Sequence, residues 1–379
     1  MPGGPPPWAA RAHQRDGGHP LATPARVAIV GTGNIARYHL QALRELPGAA
    51  EVVAAADTDQ DRLAEFCAEH DVPQPYQDLA GLLAGAKPEL VHLCTPPGLH
   101  VQQALACLAA GSSVLAEKPP ALSLRELDRL ASRGPGAPWF AAVFQHRFGS
   151  GARRLRQLAG AGVLGRPLLA VCHTTWFRDQ AYFDVEWRGR WDSEGGGPTM
   201  GHGIHQLDLL LSVLGDWAEV SAIARRQARR METEDLSLAH VTFTSGAVAS
   251  VINSVLSPRE ETYLRFDFER ATVEVTHLYG YGDEDWRITP APGCAEAVLP
   301  AWRAGEAGVR SGHRAQFAEV LGCLAGGVPP PVTLADSRRT LSLAAGIYAA
   351  AFAGGPVRPA DLGPGSPFYA RMDGNGVPW

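Results

Sequence analysis

The sequence predicts two domains of α/β plus α+β class: a doubly wound α/β domain, then an open-faced, mostly antiparallel β-sheet domain with flanking helices. Three observations carry this. The 379 residues exceed what one hydrophobic core usually holds. Up to about residue 148, short apolar runs alternate with helix-patterned segments. Beyond it, longer strand-like runs follow one another with only turns between most of them.

The chain opens on MPGGPPPWAARAHQRDGGHPLATP, rich in Pro, Gly and Ala and without an apolar run long enough for a signal-peptide core. Residues 1–24 therefore read as a disordered leader. RVAIV, from Arg26, is a short β-branched run ending at Gly31 and reads as a buried parallel strand. A helix from Asn34 to Leu46 follows, then the strand EVVAAAD ending at Asp57, then the helical DRLAEFCAEH. The strand ELVHLC (Glu89 to Cys94), a helix from His100 to Ala109 and the strand SSVLAEK ending at Lys118 continue the alternation, and Pro119-Pro120 stops it. Ser123 and Glu126 stand in capping-box spacing before a helix to about Ser132. WFAAVFQ is the last strand, which sets the first domain at 25–148 and the second at 149–379.

In the second domain LLAVCHTTWF, AEVSAIARR, LSLAHVTF, AVASVINSVL and TYLRFDF suit strands. An aromatic, glycine-rich segment, Trp176 to Gly197, lies between the first two and enters a helix of pattern HGIHQLDLLLSVLG. Helices from Ala315 to Leu324 and from Leu334 to Phe352 come late, the second entered through Thr333 and Asp336.

Composition narrows the function classes. With 34 basic and 39 acidic residues the formal charge is -5, without the positive field that nucleic acid or an anionic membrane needs. Six cysteines (67, 94, 107, 172, 294 and 323) stand singly, against a disulfide framework or a zinc-thiolate site and in favour of a reducing cytoplasm. No apolar stretch approaches the ~20 residues of a spanning helix. A soluble protein with small-molecule partners is expected.

The clearest motif is a strand, then Gly31-x-Gly33-x-x-Ala36, then a helix. Glycines there allow a tight turn and let backbone N–H groups approach a pyrophosphate, which marks a Rossmann-type dinucleotide domain. Asp57, ending the next strand, is placed to accept the ribose hydroxyls of NAD and to repel the 2′-phosphate of NADP. A glycine turn without a ligand is the plainer alternative. Thr95-Pro96-Pro97-Gly98-Leu99-His100 puts a rigid loop at the carboxyl edge of the sheet, where open α/β folds bind ligands. Glu117-Lys118-Pro119 ends another strand. A lysine beside an oxidised nicotinamide would have its pKa lowered and suit proton transfer with a substrate hydroxyl, though a solvated charge would look the same.

These three motifs in this order, with a sheet domain behind them, resemble the glucose-fructose oxidoreductase, inositol dehydrogenase and MocA family (Gfo/Idh/MocA), over essentially the whole chain from Arg26. The resemblance implies hydride transfer to or from a carbinol carbon of a sugar, cyclitol or related polyol. Carried over, Gly31, Thr32, Gly33, Asn34, Ile35, Asp57, Thr95, Pro96, Pro97, His100, Glu117 and Lys118 would contact NAD, with Lys118 also catalytic. Trp187-Arg188, in DVEWRGRW, resembles a family segment that reaches the nicotinamide end of the cofactor. The remaining signature is a glycine-rich turn entering a helix with Asp and His four residues apart. His205 matches the histidine; the aspartate position is Gly201. The carboxylate that would bind substrate hydroxyls or orient the histidine is therefore missing. His202 standing in for it, or glycine making room for a bulkier substrate, are two readings of this departure.

Other features carry less. His202, His205 and Asp208 have helical spacing for a metal but no clear third ligand on the same face, so no metal is expected. The run Ala224 to Arg230, cancelled by METED, reads as a solvated edge rather than a nucleic-acid patch. Trp176, Phe177, Tyr182, Phe183, Trp187 and Trp191 form either an aromatic wall against the substrate or interdomain packing. His146-Arg147 falls where the family lines its cleft, and an interdomain salt bridge would look the same.

The expected activity is NAD-dependent hydride transfer at a secondary alcohol or keto carbon of a sugar-, cyclitol- or glycoside-like substrate, NADP being disfavoured. Lys118 acts as acid/base and His205 assists, with His146, Arg147, Trp176 and His202 lining the substrate. Two alternatives stand beside it: a redox-neutral enzyme with tightly held NAD that works through a keto intermediate, and a non-catalytic NAD-binding sensor or subunit. An open sheet face predicts a homo-oligomer, dimer or tetramer.

Overall fold

The structure, a computed structural model, describes residues 23–130, 134 and 136–379. The leader, apart from its last two residues, and the expected helix end near Ser132 lie outside them.

Strands β1 (Ala25–Val30), β2 (Ala50–Ala56), β3 (Pro75–Tyr76), β4 (Leu90–Leu93), β5 (Ser113–Ala116) and β6 (Phe140–Ala142) form a parallel sheet in the order β3-β2-β1-β4-β5-β6. The order reverses between β1 and β4, which opens a crevice at their carboxyl ends. Every residue of β4 and β5 is buried, because helices cover both faces and no polar alternation is needed.

One face carries Val27, Leu90, Leu115 and Val143, and the helix His313–Ala325 covers it with Phe317, Val320 and Leu321. Sequence order assigned that helix to the second domain. Packing makes it a layer of the first, because its apolar stripe meets that face beside Ala42 and Leu43 of the helix Asn34–Arg44.

Strands β7 (Pro167–Phe177), β8 (Trp217–Arg225), β9 (Leu236–Phe243), β10 (Val248–Ser254), β11 (Leu256–Phe268), β12 (Ala271–Thr276) and β13 (Trp286–Pro290) form the second sheet, in the order β13-β12-β11-β7-β10-β9-β8. All neighbours are antiparallel except β10 and β7. The run read as one strand, AVASVINSVL, breaks at the buried Val255. The helices Ser150–Gly160 and Ala295–Arg303 and the strands β12 and β13 were not anticipated.

The inner face packs Ala170, Cys172, Val241 and Val251 into the same core as the helices Ile204–Leu214 and Leu334–Ala353. All residues of Ile204–Leu214 are buried, so its polar side chains need partners within the protein. The expected single helix from His202 splits into Pro198–Gly201 and Ile204–Leu214, with His202 and Gly203 between them.

The predicted solvated edge after β8 holds for the run itself, with Arg225, Arg226 and Arg230 exposed, but not for all the acids that follow. Glu234 and Asp235 are fully buried, and Asp235 accepts the N–H groups of Gln227, Ala228 and Arg229 to tie the turn. The acids neutralise backbone dipoles inside the fold instead of screening arginines in solvent.

Candidate active site

The glycine turn explains itself sterically. Gly31 has φ +86°, and a Cβ there would lie 2.9 Å from the backbone of Cys94 and Thr95 at the end of β4. At Gly33, just before the helix Asn34–Arg44, a Cβ would meet nothing within 4 Å. The helix N-terminus thus faces open space, the feature that lets a phosphate group approach its N–H groups, and Asn34 is exposed there with Ile35 half-buried. These features fit a dinucleotide.

Thr32 differs from a simple cofactor contact: its N–H and hydroxyl both donate to Asp57 Oδ2, at 2.7 and 2.9 Å. Asp57 Oδ1 accepts Arg62 at 2.7 Å and the Asp59 N–H at 2.9 Å. Burial pushes the Asp57 carboxyl up, but bonds from Arg62, Thr32 and Asp59 outweigh it and hold the pKa at about 2. The carboxylate stands charged at the end of β2.

In the second loop Thr95 Oγ1 donates to Gln103, Pro96 is exposed and Pro97 is buried. His100 requires a correction. Its ring is fully buried, with Nδ1 and Nε2 each 2.9 Å from a carbonyl, those of Pro119 and Thr95. It pins the loop to the segment after Lys118, and no ring edge is left for a cofactor.

Glu117 is corrected likewise. Side chains alternate along β5, so Glu117 follows Leu115 to the face covered by His313–Ala325. Its Oε1 lies 2.9 Å from His39 Nε2 and 3.3 Å from His313 Nε2, and His39 Nδ1 meets His92 Nδ1 at 3.0 Å. His39, Glu117 and His313 are also the one set among the described residues whose possible metal-ligand atoms all lie within 4.8 Å. The carboxylate faces histidines, not the cleft.

Lys118 turns the other way. Its Nζ donates to the carbonyl of Gly201 at 2.7 Å, bridging the two domains. Burial pulls its pKa below the ordinary lysine value; Glu117 and Glu194 act against that and Arg188 with it.

Around it stand His205, His202 and His146, all buried, whose pKa values burial lowers, to about 3 for His146. They are neutral imidazoles. His146 packs edge-on to His205 at 5.1 Å between ring centres and stacks on Tyr281 at 4.7 Å. His205 Nδ1, His202 Nδ1 and both nitrogens of His146 have no protein partner. Buried donors and acceptors left open in a cleft are what a polyhydroxylated ligand would satisfy.

The aromatic segment divides: Trp191 and Phe183 pack into hydrophobic clusters, while Trp176 and Tyr182 meet His202. Trp176 packs edge-on to His202 at 5.1 Å while its indole N–H donates to Thr262 Oγ1. Arg188 lies over the rings of Tyr182 and Trp187 at 4.0 and 4.4 Å, and Trp187 is exposed.

The turn carrying Gly201 is clamped from below. Glu234 accepts the N–H groups of Gly197 and Thr199 at 2.9 and 3.1 Å and the Tyr348 hydroxyl at 2.9 Å. A Cβ on Gly197 would come within 1.9 Å of the Glu234 carbonyl, so only glycine permits this approach.

Arg147 does not line the cleft. Its guanidinium pairs with Asp208 and lies 3.6 Å from Asp336, and Asp208 also accepts Thr340 Oγ1. This removes Asp208 from His202 and His205, which separates the three residues weighed as metal ligands. The site also contains residues that the sequence reading did not single out: Gln145, Gln206, Glu194, Tyr279 and Tyr281. Tyr279 and Tyr281 alternate with glycines in YGYG, and Glu194 directly precedes Gly195-Gly196-Gly197, the local signals available.

Residues 25–133 match the family described as oxidoreductase family, NAD-binding Rossmann fold, and residues 152–274 match the Gfo/Idh/MocA C-terminal domain. D-glucoside 3-dehydrogenase of Escherichia coli K12 is 25% identical over 284 residues, 68% of this chain and 79% of that protein. D-apiose dehydrogenase of Paraburkholderia graminis is 26% identical, covering 86% and 87%. Among solved structures, the WlbA dehydrogenase from Bordetella pertussis, in complex with NADH and UDP-GlcNAcA, superposes with a TM-score of 0.77 at 27% identity, covering 89% of this chain and 98% of that one. With a family match in each domain and the dinucleotide turn in place, the chain belongs to the Gfo/Idh/MocA family of NAD(P)-binding oxidoreductases.

Proposed function

We propose that this chain is an NAD-dependent dehydrogenase or reductase acting on a secondary alcohol or keto carbon of a sugar-, cyclitol- or glycoside-like substrate. The carrying observation is Lys118: a half-buried lysine at the carboxyl end of β5, its Nζ held 2.7 Å from the Gly201 carbonyl, with unpartnered ring nitrogens of His146, His202 and His205 around it. Lys118 and the exposed Lys87 are the only lysines of the chain, all 32 other basic residues being arginines. An arginine cannot release its proton at working pH, whereas a desolvated lysine can. The nicotinamide, when bound, supplies the hydride acceptor or donor.

Lys118 takes the proton of the substrate hydroxyl on oxidation and returns it on reduction. His205, neutral with Nδ1 open, hydrogen-bonds the reacting oxygen, while His146, His202 and Trp176 line the ring of the substrate. Trp187 and Arg188 would lie at the nicotinamide end of the cofactor, and Gly31, Gly33, Asn34, Ile35, Thr95, Pro96 and Pro97 would border the dinucleotide. The charged Asp57 favours NAD over NADP by repelling a 2′-phosphate. The sugar-directed names of the relatives support the substrate class.

Leu169, Val248, Ile252, Leu238 and Ile223 share the outer face of the second sheet by register, an apolar surface suited to pairing with another copy across a two-fold axis. Among the described residues no disulfide forms, which supports work in a reducing cytoplasm, and no helix is long and apolar enough to cross a membrane.

The test is titration of the protein with NADH and NADPH, followed by a screen of sugars, cyclitols and glycosides monitored by nicotinamide absorbance. Tighter NADH binding with turnover on a polyol is expected. Cofactor binding without turnover on any of them would overturn the dehydrogenase reading.

A further inference from the structure

We propose that His39, Glu117 and His313 bind a divalent transition-metal ion of the zinc class, which ties the helix His313–Ala325 to the first sheet. The three side chains come from separated segments: His39 from the helix Asn34–Arg44, Glu117 from the residue after β5, and His313 from the start of the covering helix. Each offers one ligand atom, and these atoms lie within 4.8 Å of one another. Two imidazoles and a carboxylate are a donor set that suits zinc.

The spacing is that of a coordination sphere. Zinc bonds of about 2.0–2.2 Å put neighbouring corners of a tetrahedron about 3.3 Å apart. Glu117 Oε1 stands 2.9 Å from His39 Nε2 and 3.3 Å from His313 Nε2, so two imidazoles converge on one carboxylate oxygen. The charge also asks for a cation. Glu117 is buried, and its partners among the described residues are these two rings and the Lys118 backbone N–H, because the Lys118 amine goes to Gly201 instead. A buried carboxylate without an arginine or lysine is stabilised by a doubly charged ion at Oε1.

Outer contacts hold the ligands in place. Oε2 accepts the Lys118 N–H at 3.2 Å, and His39 Nδ1 meets His92 Nδ1 at 3.0 Å. With its proton on Nδ1, towards His92, His39 presents a bare Nε2 to the ion. Phe317 packs against His39, His92 and His313, with ring centres 5.0, 4.7 and 5.6 Å away, and walls the site on the helix side. The His313 side chain is 13% exposed, which leaves an ion a way in and a fourth position for water. Glu117 and Lys118 point to opposite faces, so the ion is structural and stands outside the hydride-transfer cleft.

The full chain is stripped with a chelator and titrated with zinc, followed by calorimetry and by melting temperature. Wild type is expected to take up one zinc per chain and to melt higher with it. His313→Gln, which removes a ligand at the exposed edge, is expected to weaken uptake by about tenfold or more and to lose the rise in melting temperature. His313→Glu, which returns an oxygen ligand of similar reach, is expected to recover uptake. His205→Gln removes an imidazole of the cleft and is expected to leave zinc binding in place.

Stripped wild type that takes up no zinc overturns the proposal and leaves the three side chains joined by hydrogen bonds alone. Uptake that survives His313→Gln and falls in His205→Gln puts the ion in the cleft and overturns it as well. A His313→Glu variant that binds no better than His313→Gln overturns the assignment of residue 313 as a ligand. None of these readouts needs substrate or nicotinamide, so the dehydrogenase reading stands or falls separately.

Discussion

Arg147 and Asp208 form a buried two-pronged ion pair, Nε and Nη2 each 2.5 Å from a carboxylate oxygen, that ties the end of the first domain to the helix carrying His205. Asp208 sits on a helix with no exposed residue, so burial pushes its carboxyl up, and Arg147 and Thr340 pull it back. Arg147→Met strands that carboxylate and is expected to cost roughly 3–5 kcal/mol in urea unfolding. A loss below ~1 kcal/mol would mean the pair behaves as a solvent-screened one.

Gly31→Ala places a methyl 2.9 Å from the Cys94 and Thr95 backbone at a φ of +86°. Backbone cannot yield as a flexible side chain can. The expected result is a stability loss on the order of 1–3 kcal/mol and at least tenfold weaker NADH binding, read by thermal unfolding and by fluorescence titration. Gly33→Ala, with open space around it, should keep stability and lose only cofactor affinity.

Asp57→Asn removes the charge that Arg62 and Thr32 stabilise. NADH binding should weaken and the NADH-to-NADPH preference fall by about tenfold or more, the worth of ~1.4 kcal/mol. The acid behaviour has a definite sign. The folded pKa, about 2, lies below the ordinary 3.8, so the carboxylate's stabilisation is present above pH ~4 and lost as pH falls towards ~2. Asp57→Asn should flatten the pH dependence of the melting temperature in that window only.

Lys118→Ala should keep NADH affinity within about twofold while turnover falls by about 10²–10⁴. In the wild type, oxidation requires the free amine. Its rate should rise with pH through a midpoint below the ordinary 10.5 of lysine, because burial disfavours the charged form. Unchanged turnover in Lys118→Ala would remove it from the reaction.

Much of this was legible locally. RVAIV before Gly31, the strand ending near Asp57 and the capping spacing of Thr333 and Asp336 each appear where adjacent residues imply them. Such signals come from periodicity and from turn chemistry, which act over a few residues. Glu117 was misread for a different reason: alternation along β5 tells that neighbours part company, but not which face looks into the cleft. His100 and Arg147 carried polar groups at loop positions suited to a ligand, and carbonyls and a carboxylate from distant segments claimed those groups first.

By itself the sequence determined the two domains, the glycine turn, the parallel order implied by alternating elements, and Lys118 at a strand's carboxyl end, because backbone sterics and hydrophobic periodicity are local properties. Only the tertiary structure decided that His313–Ala325 closes the first sheet, that Glu234 clamps the Gly197 turn, and that Glu117 turns to His39 and His313 rather than to the cleft. Partners far apart in the chain are chosen by which buried polar groups must be satisfied once the core has closed, and that choice exists only in the folded state.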